Sequence, residues 1–192
     1  MLALLVLGLA LFLGAHSIRI VAEPWRQRTI ARLGVPAWRG IYSVVSIAGF
    51  LLIIKGYGEP GTLAAPLYVL PAWSRALALA LMLPAAVLVV AAYVPGTHMR
   101  QTVRHPMLMG TRLWAIAHLL VNGRVIDMLL FGSFLAWSVF AWHAALGRDR
   151  AAGIGYPATG WSRDGLAVAI GATVWAVILF WAHRWIGGVA LM

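Results

Sequence analysis

The chain has 192 residues, 62% of them hydrophobic and only 10% charged, and this composition indicates an integral membrane protein with one domain over residues 1–192. Its net charge of +10 is carried by arginines in short segments between apolar runs, without a basic face, which argues against a nucleic-acid partner. The absence of cysteine excludes disulfides, thiolate ligands and covalent haem attachment through a CxxCH motif.

Apolar runs that suit transmembrane helices alternate with short polar segments; a span takes about 20 residues, or fewer where protein shields its ends. Six runs are predicted to cross the membrane: Leu2–Val21, Ile41–Lys55, Ala76–Val94, Met107–Val121, Val125–Leu146 and Gly165–Ile186. The first run has no basic residue before it, so it is predicted to be a retained helix and not a cleaved signal peptide. The turn-forming pair Asn122-Gly123 predicts a hairpin of the short fourth helix and the fifth. The predicted fold is an all-α, polytopic membrane bundle of about six transmembrane helices.

The basic residues are distributed unequally between the two sides of this arrangement. Eleven arginines fall on one side, and four basic residues, Lys55, Arg75, Arg124 and Arg184, fall on the other. Because lysine and arginine accumulate in cytoplasmic loops, the first side is predicted to face the cytoplasm, with both termini outside.

Two histidines lie inside predicted helices at a similar depth. His16 is six residues before Ala22 and His118 is six residues after Arg112, so each lies about 9 Å from the same predicted boundary. Two imidazoles on different helices at one depth can bind a single ion or flat cofactor, which predicts His16 and His118 as metal ligands. The alternative is that each histidine hydrogen-bonds a neighbouring helix and only stabilises the bundle.

The surroundings of His118 favour a site. A stripe of side chains recurs on one helix face: Thr111, Trp114, His118 and Asn122. Asn122 is predicted to hydrogen-bond the His118 ring and to help fix its tautomer. Ala115 and Ala117 are small enough to leave room for a planar macrocycle beside the ring.

The remaining histidines give weaker indications. Arg104 and His105, just before a helix-starting proline, are predicted either to bind an anion or to be ordinary interfacial residues that face lipid headgroups. His98 is predicted to be an interfacial residue that faces lipid headgroups, and no ligand role is predicted for His143 or His183. The sequence has no carboxylate pair, Ser-His-Asp order or glycine-rich phosphate loop, so hydrolase and nucleotidyl chemistry are poorly supported.

Three motifs, "FLGAHSIRI", "RHPMLMGTRLWAIAHLLVNG" and "ALGRDR", resemble those of the NnrU family of bacterial membrane proteins over nearly the whole chain. The family is associated with nitric oxide metabolism and denitrification, so the resemblance implies a multi-pass protein of the bacterial inner membrane. The chain is also similar to the plant 15-cis-ζ-carotene isomerases, which use haem b. The haem-ligating histidines of that group match His16 and His118. Its cysteine three residues before the second histidine is replaced here by Ala115, so a thiolate cannot exchange for that ligand.

The predicted function is that of a membrane haem b protein with two histidine ligands. It would act as a redox enzyme or isomerase on a nitric oxide-related or hydrophobic polyene substrate, and arginines would pair with the haem propionates. The residues predicted to contact the cofactor are His16, His118, Arg19, Arg104, His105, Arg112, Trp114 and Asn122.

Two alternatives stay open. One is a methyltransferase-like enzyme that binds S-adenosylmethionine at the Arg104-His105-Pro106 corner, because "RHPMLMG" resembles the RHPxYxG motif of isoprenylcysteine methyltransferases, with Leu108 at the tyrosine position. However, the later segment "LGRDRAAGIGYPATGWSR" lacks the glutamate that this group usually carries. The other alternative is a non-catalytic membrane accessory protein whose histidines are structural.

Overall fold

The computed structural model describes residues 2–58 and 65–186. These residues form two compact units, one belonging to Met1–Ala65 and the other to Pro66–Met192. Both chain termini and the side chain of Arg184, which enter the orientation prediction, lie outside the described residues.

The first unit contains three helices: α1 (Leu2–Val21), α2 (Glu23–Leu33) and α3 (Val35–Gly58). The bounds of α1 are those predicted, whereas α3 begins six residues before the predicted span and ends three residues after it. The sequence did not predict α2, which is polar and has no buried residue. Two residues with non-helical backbone, Ala22 (φ −138°) and Gly34 (φ +83°), separate α2 from its neighbours.

Helices α1 and α3 pack closely and antiparallel through glycines. Gly8 of α1 faces Gly49 and Ile53 of α3, and a Cβ on Gly8 would stand 2.7 Å from the Ile53 nitrogen. A Cβ on Gly56 would meet the backbone of Leu5. These positions therefore need glycine because the two backbones are in contact, as is common where membrane helices pair.

The second unit contains the helices of residues 66–186. They are α4 (Trp73–Ala91), α5 (His98–Val103), α6 (Pro106–Leu119), α7 (Val125–Ala152), α8 (Trp161–Val177), a π-helical turn (Ile178–Ala182) and α9 (His183–Ile186). Helix α4 packs against α6 and α8, and α6 also packs against α7. The predicted third, fifth and sixth spans correspond to α4, α7 and the segment from α8 to α9, each with one or both ends displaced by three to six residues.

Five helical segments in the described residues are long and apolar enough to cross a membrane, so the chain is a helical membrane protein. They are Leu2–Val21, Val35–Gly58, Trp73–Ala91, Val125–Ala152 and Trp161–Ala182. The predicted fourth span is α6, which has only 14 residues. At 1.5 Å per residue α6 is about 21 Å long, short of a hydrocarbon core of about 30 Å. The prediction of about six spans is therefore not confirmed.

The predicted hairpin at Asn122-Gly123 is present and joins α6 to α7. An incoming segment holds its tip: the Tyr68 hydroxyl donates to the Leu119 carbonyl at 2.6 Å, and the Leu67 nitrogen donates to the Gly123 carbonyl at 2.8 Å. Leu67 and Tyr68 thus anchor the hairpin at the C-terminal end of α6, where His118 lies.

Candidate functional site

His118 lies in the last turn of α6 with its ring held by the backbone of the same helix. Nδ1 is 2.9 Å from the Trp114 carbonyl oxygen, which accepts only hydrogen bonds. Nδ1 therefore carries the proton, and Nε2 is the nitrogen with the lone pair. A ring fixed in this tautomer by a carbonyl is the usual arrangement of a metal-binding histidine.

Aromatic rings surround the His118 side chain. The Phe131 ring of α7 stacks on it, with centroids 4.6 Å apart and planes inclined by 27°. The Trp114 centroid is 5.1 Å away, and Trp114 also meets Phe134 edge-on at 5.5 Å. These contacts limit rotation of the imidazole in addition to the hydrogen bond at Nδ1.

Two predictions about the His118 surroundings need correction. The Asn122 amide donates to the backbone carbonyl of His118 at 3.0 Å and not to the ring, so the Trp114 carbonyl fixes the tautomer. Ala115 and Ala117 are 0% and 1% exposed. They are closely packed and leave no open surface for a macrocycle on their side of α6.

His16 of α1 has a similar local arrangement. Its Nδ1 lies 2.6 Å from the Phe12 carbonyl oxygen, one turn earlier. The Phe12 ring stacks on the imidazole at 4.3 Å, and the Tyr42 ring of α3 is 5.2 Å away. Arg19, one turn after His16, is exposed. Both histidines thus donate from Nδ1 to a carbonyl four residues earlier and contact aromatic rings.

His16 belongs to the first unit and His118 to the second. The contacts of each imidazole ring are therefore described within its own unit. The joint coordination of one metal by the two rings stays a prediction.

His105 forms a second polar centre, at the start of α6. Its Nε2 is 2.9 Å from Asp149 Oδ2, and the Tyr156 hydroxyl donates to Asp149 Oδ1 at 3.2 Å. Asp149 is only 5% exposed. This contact joins two of the motifs that resemble the NnrU family, because His105 belongs to "RHP" and Asp149 to "ALGRDR". It ties the start of α6 to the end of α7 and to the segment that follows.

The Tyr156 hydroxyl lies outside the membrane-spanning helices and is perturbed by this environment. Burial raises its pKa above the ordinary value of 10.0, and the hydrogen bond to Asp149 raises it further. The Arg100 guanidinium lies 4.8 Å from the centroid of the Tyr156 ring and acts in the opposite direction. The hydroxyl therefore stays protonated at neutral pH and acts as a donor.

His98 pairs with a carboxylate, which the sequence did not predict; its contact with lipid headgroups stays a prediction. Its Nδ1 is 2.8 Å from Asp164 Oδ2, and Asp164 also accepts from the backbone nitrogens of His98 and Met99 at 3.0 and 3.1 Å. The His98 ring stacks on Trp161 with centroids 4.0 Å apart. Asp164 thus caps the start of α5, and His98 joins that helix to α8.

Arg112 is the arginine of α6 and lies six residues before His118. Its guanidinium is 5.4 Å from the Trp142 ring, and Nη2 makes a long hydrogen bond of 3.4 Å to the Ser138 carbonyl. Nε is buried without a hydrogen-bond partner. The four described carboxylates form ion pairs with other residues: Glu23 with Arg26, Asp127 with Arg124, Asp149 with His105 and Asp164 with His98. Among the described residues, Arg112 therefore has no carboxylate partner for its charge.

Arg104 stands between α5 and α6 in an unusual conformation, with φ of +60°. Its backbone nitrogen donates to the Arg100 carbonyl at 2.8 Å. A positive φ in a residue with a side chain is uncommon and carries some strain. The backbone thus leaves the helical conformation at Arg104, which ends α5 before α6 starts at Pro106.

Sequence reasoning missed Asp149, Asp164 and Tyr156 as polar partners of the histidines. Asp149 carried a signal, since it belongs to a motif that resembles the family, but no spacing rule connects it with His105. Within residues 2–58 and 65–186, no group of three or more histidine, aspartate or glutamate side chains is arranged to hold a metal ion.

Comparison with known proteins identifies the family. The family model described as NnrU protein matches residues 4–191. No curated protein and no solved structure matches the chain significantly. Because the match covers nearly the whole sequence, the chain belongs to the NnrU family.

Proposed function

From membership of the NnrU family and from the similar state of two histidines, we propose that the protein binds haem b without covalent attachment. In this proposal Nε2 of His16 and Nε2 of His118 would bind the iron. The proposed location is the bacterial inner membrane. The arginine-rich connections are proposed to lie in the cytoplasm and both termini outside, because the basic residues are distributed unequally between the two sides.

The observation that carries the proposal is the hydrogen bond that each imidazole makes within its own helix. Nδ1 of His16 is 2.6 Å from a carbonyl oxygen, and Nδ1 of His118 is 2.9 Å from another. Both rings therefore have the tautomer in which Nε2 has the lone pair that a metal requires. Stacked phenylalanines restrain both rings, which reduces the conformational entropy lost when a ligand binds.

The residues near these histidines fit the polar and apolar parts of a porphyrin. Trp114 and Phe131 provide an aromatic surface beside His118. Arg112 has a guanidinium without a carboxylate partner in the described residues, and Arg19 is exposed one turn after His16. Guanidinium groups bind carboxylates through charge-assisted hydrogen bonds, so Arg19 and Arg112 are proposed to bind the propionates.

The proposed activity uses the haem for redox chemistry connected with nitric oxide metabolism or for isomerisation of a polyene. When bound, the haem iron would supply the one-electron chemistry. In this proposal the chain orients both imidazoles, fixes their protons at Nδ1 and excludes water with aromatic side chains.

The test is the absorption spectrum of detergent-purified protein from haem-replete cells. A Soret band is expected for the natural chain, with a large loss in His16→Ala and in His118→Ala. His143→Ala is the matched control, because His143 is an exposed histidine of α7 with no proposed ligand role. Circular dichroism of each variant shows whether the helices are retained.

Three results would contradict the proposal. A colourless preparation that binds S-adenosylmethionine would favour a methyltransferase-like enzyme at the Arg104-His105-Pro106 corner. A colourless preparation without such binding would favour a non-catalytic accessory protein. A Soret band that survives in both ligand variants would assign the haem to other residues.

A further inference from the structure

One face of α2 presents an exposed tryptophan and two exposed arginines. Trp25, Arg28 and Arg32 recur at positions i, i+3 and i+7, so they lie on the same side of the helix, and all three are exposed. The helix connects α1, which ends at Val21, with α3, which begins at Val35. Since α1 and α3 are both candidate membrane spans, α2 joins two spans at one end of their antiparallel pair.

The charge of this segment is largely uncompensated. Residues 19–39 contain five arginines and one glutamate, a difference of 5 − 1 = +4. Glu23 is the single acidic residue of the sequence between positions 2 and 58. Its Oε1 already accepts from Arg26 at 2.9 Å and from Gln27 at 3.1 Å. The described part of this unit thus has no other carboxylate that Arg28 or Arg32 can bind.

Contacts with the start of α3 fix the position of α2. The Arg26 guanidinium lies 5.9 Å from the centroid of the Trp38 ring, and the Trp25 ring meets Trp38 at 5.8 Å with planes inclined by 72°. Trp38 is 9% exposed, whereas Trp25 is 49% exposed. Part of the Trp25 ring therefore packs against Trp38, and about half of the residue is exposed on the same helix face as the two arginines.

We propose that the Trp25–Arg28–Arg32 face binds the headgroup of an anionic membrane phospholipid. The guanidinium fork of arginine matches the oxygens of a phosphodiester and binds them through two hydrogen bonds. Tryptophan is enriched at headgroup depth because it has an apolar ring and one N–H donor. A basic segment directly adjoining transmembrane helices attracts anionic lipids. The site is independent of haem binding, since it uses none of the proposed haem contacts.

The full-length protein in lipid nanodiscs allows a direct test by electron paramagnetic resonance. Spin-labelled phosphatidylglycerol and spin-labelled phosphatidylcholine are compared for the motionally restricted fraction that each shows at the protein surface. We expect the natural chain to prefer phosphatidylglycerol. The preference should fall by up to about fivefold for each arginine removed in Arg28→Gln and Arg32→Gln, and should nearly vanish in the double variant.

Arg150→Gln/Arg163→Gln is the matched control, because it removes two charges from exposed arginines of the other unit. It should keep the preference of the natural chain. Equal losses in the control and in the α2 variant would overturn the proposal, because net charge alone would explain them. An unchanged preference in Arg28→Gln/Arg32→Gln, or complete displacement of the labelled lipid by inorganic phosphate, would also overturn it. Helix content by circular dichroism identifies a variant that fails to fold, and the single variants then provide the comparison.

Discussion

Replacement of Asp149 by alanine should destabilise the second unit, because two hydrogen-bond donors lose their acceptor. His105 Nε2 is 2.9 Å from this carboxylate, and the Tyr156 hydroxyl is 3.2 Å from it. An unsatisfied buried donor costs about 1–3 kcal/mol. His105 is 22% exposed and recovers part of this from water. We therefore expect a loss of about 3 kcal/mol in the free energy of unfolding.

The assay is thermal unfolding in detergent, followed by far-ultraviolet circular dichroism. For a chain of this size a loss of about 3 kcal/mol corresponds to a decrease in Tm of roughly 6–12 °C. Asp149→Asn keeps one acceptor oxygen and should lose about half as much. The control is Arg150→Ala, since Arg150 is exposed and its side chain donates only to the Leu146 carbonyl, at 3.3 Å.

A double-mutant cycle tests whether His105 and Asp149 act together. If their contact stabilises the fold, His105→Ala/Asp149→Ala should lose less stability than the sum of the two single variants. A Tm of Asp149→Ala within about 1 °C of the natural chain would refute the reasoning, because a buried acceptor with two donors would then contribute nothing.

Two further predictions concern close packing and pH. Gly56→Ala should lower Tm, because the added Cβ would meet the backbone of Leu5 at a cost of about 1–3 kcal/mol. Gly58→Ala is the control and should leave Tm unchanged, because a Cβ there would have no atom within 4 Å. Equal decreases in Tm for the two variants would contradict the packing account. Because the pKa of Tyr156 is raised in the folded protein, the contribution of its hydroxyl to stability is present below about pH 10 and is lost as pH rises further. The difference in Tm between the natural chain and Tyr156→Phe should therefore shrink above pH 10. A difference in Tm that stays constant with pH would contradict this.

The sequence predicted the long apolar helices and the hairpin well, because length and hydropathy determine them. The bounds of α1 were correct, since a mostly apolar run there is followed by a polar segment that begins at Glu23. It did not predict α2 or α5, which are short polar helices without an apolar run. Their arginines and histidines are equally typical of loops, so composition alone does not separate the two states.

The contacts of the site were predicted less completely, for physical reasons that differ between residues. His105 and Asp149 are 44 positions apart, and their contact depends on the packing of α6 against α7, which spacing does not encode. Asn122 is one turn after His118, within reach of both its ring and its carbonyl. Its amide donates to the His118 carbonyl, which also accepts from the backbone nitrogens of Val121 and Asn122, whereas Nδ1 of the ring is already bonded to the Trp114 carbonyl.

The central claim is that His16 and His118 ligate one haem, and the most direct measurement is electron paramagnetic resonance of the ferric protein. The natural chain should give a low-spin signal that is lost in His16→Gly and in His118→Gly. Added imidazole should restore the signal in each variant by occupying the space of the missing ring. A low-spin signal that both variants retain without imidazole, or a natural chain that binds no haem, would contradict the account.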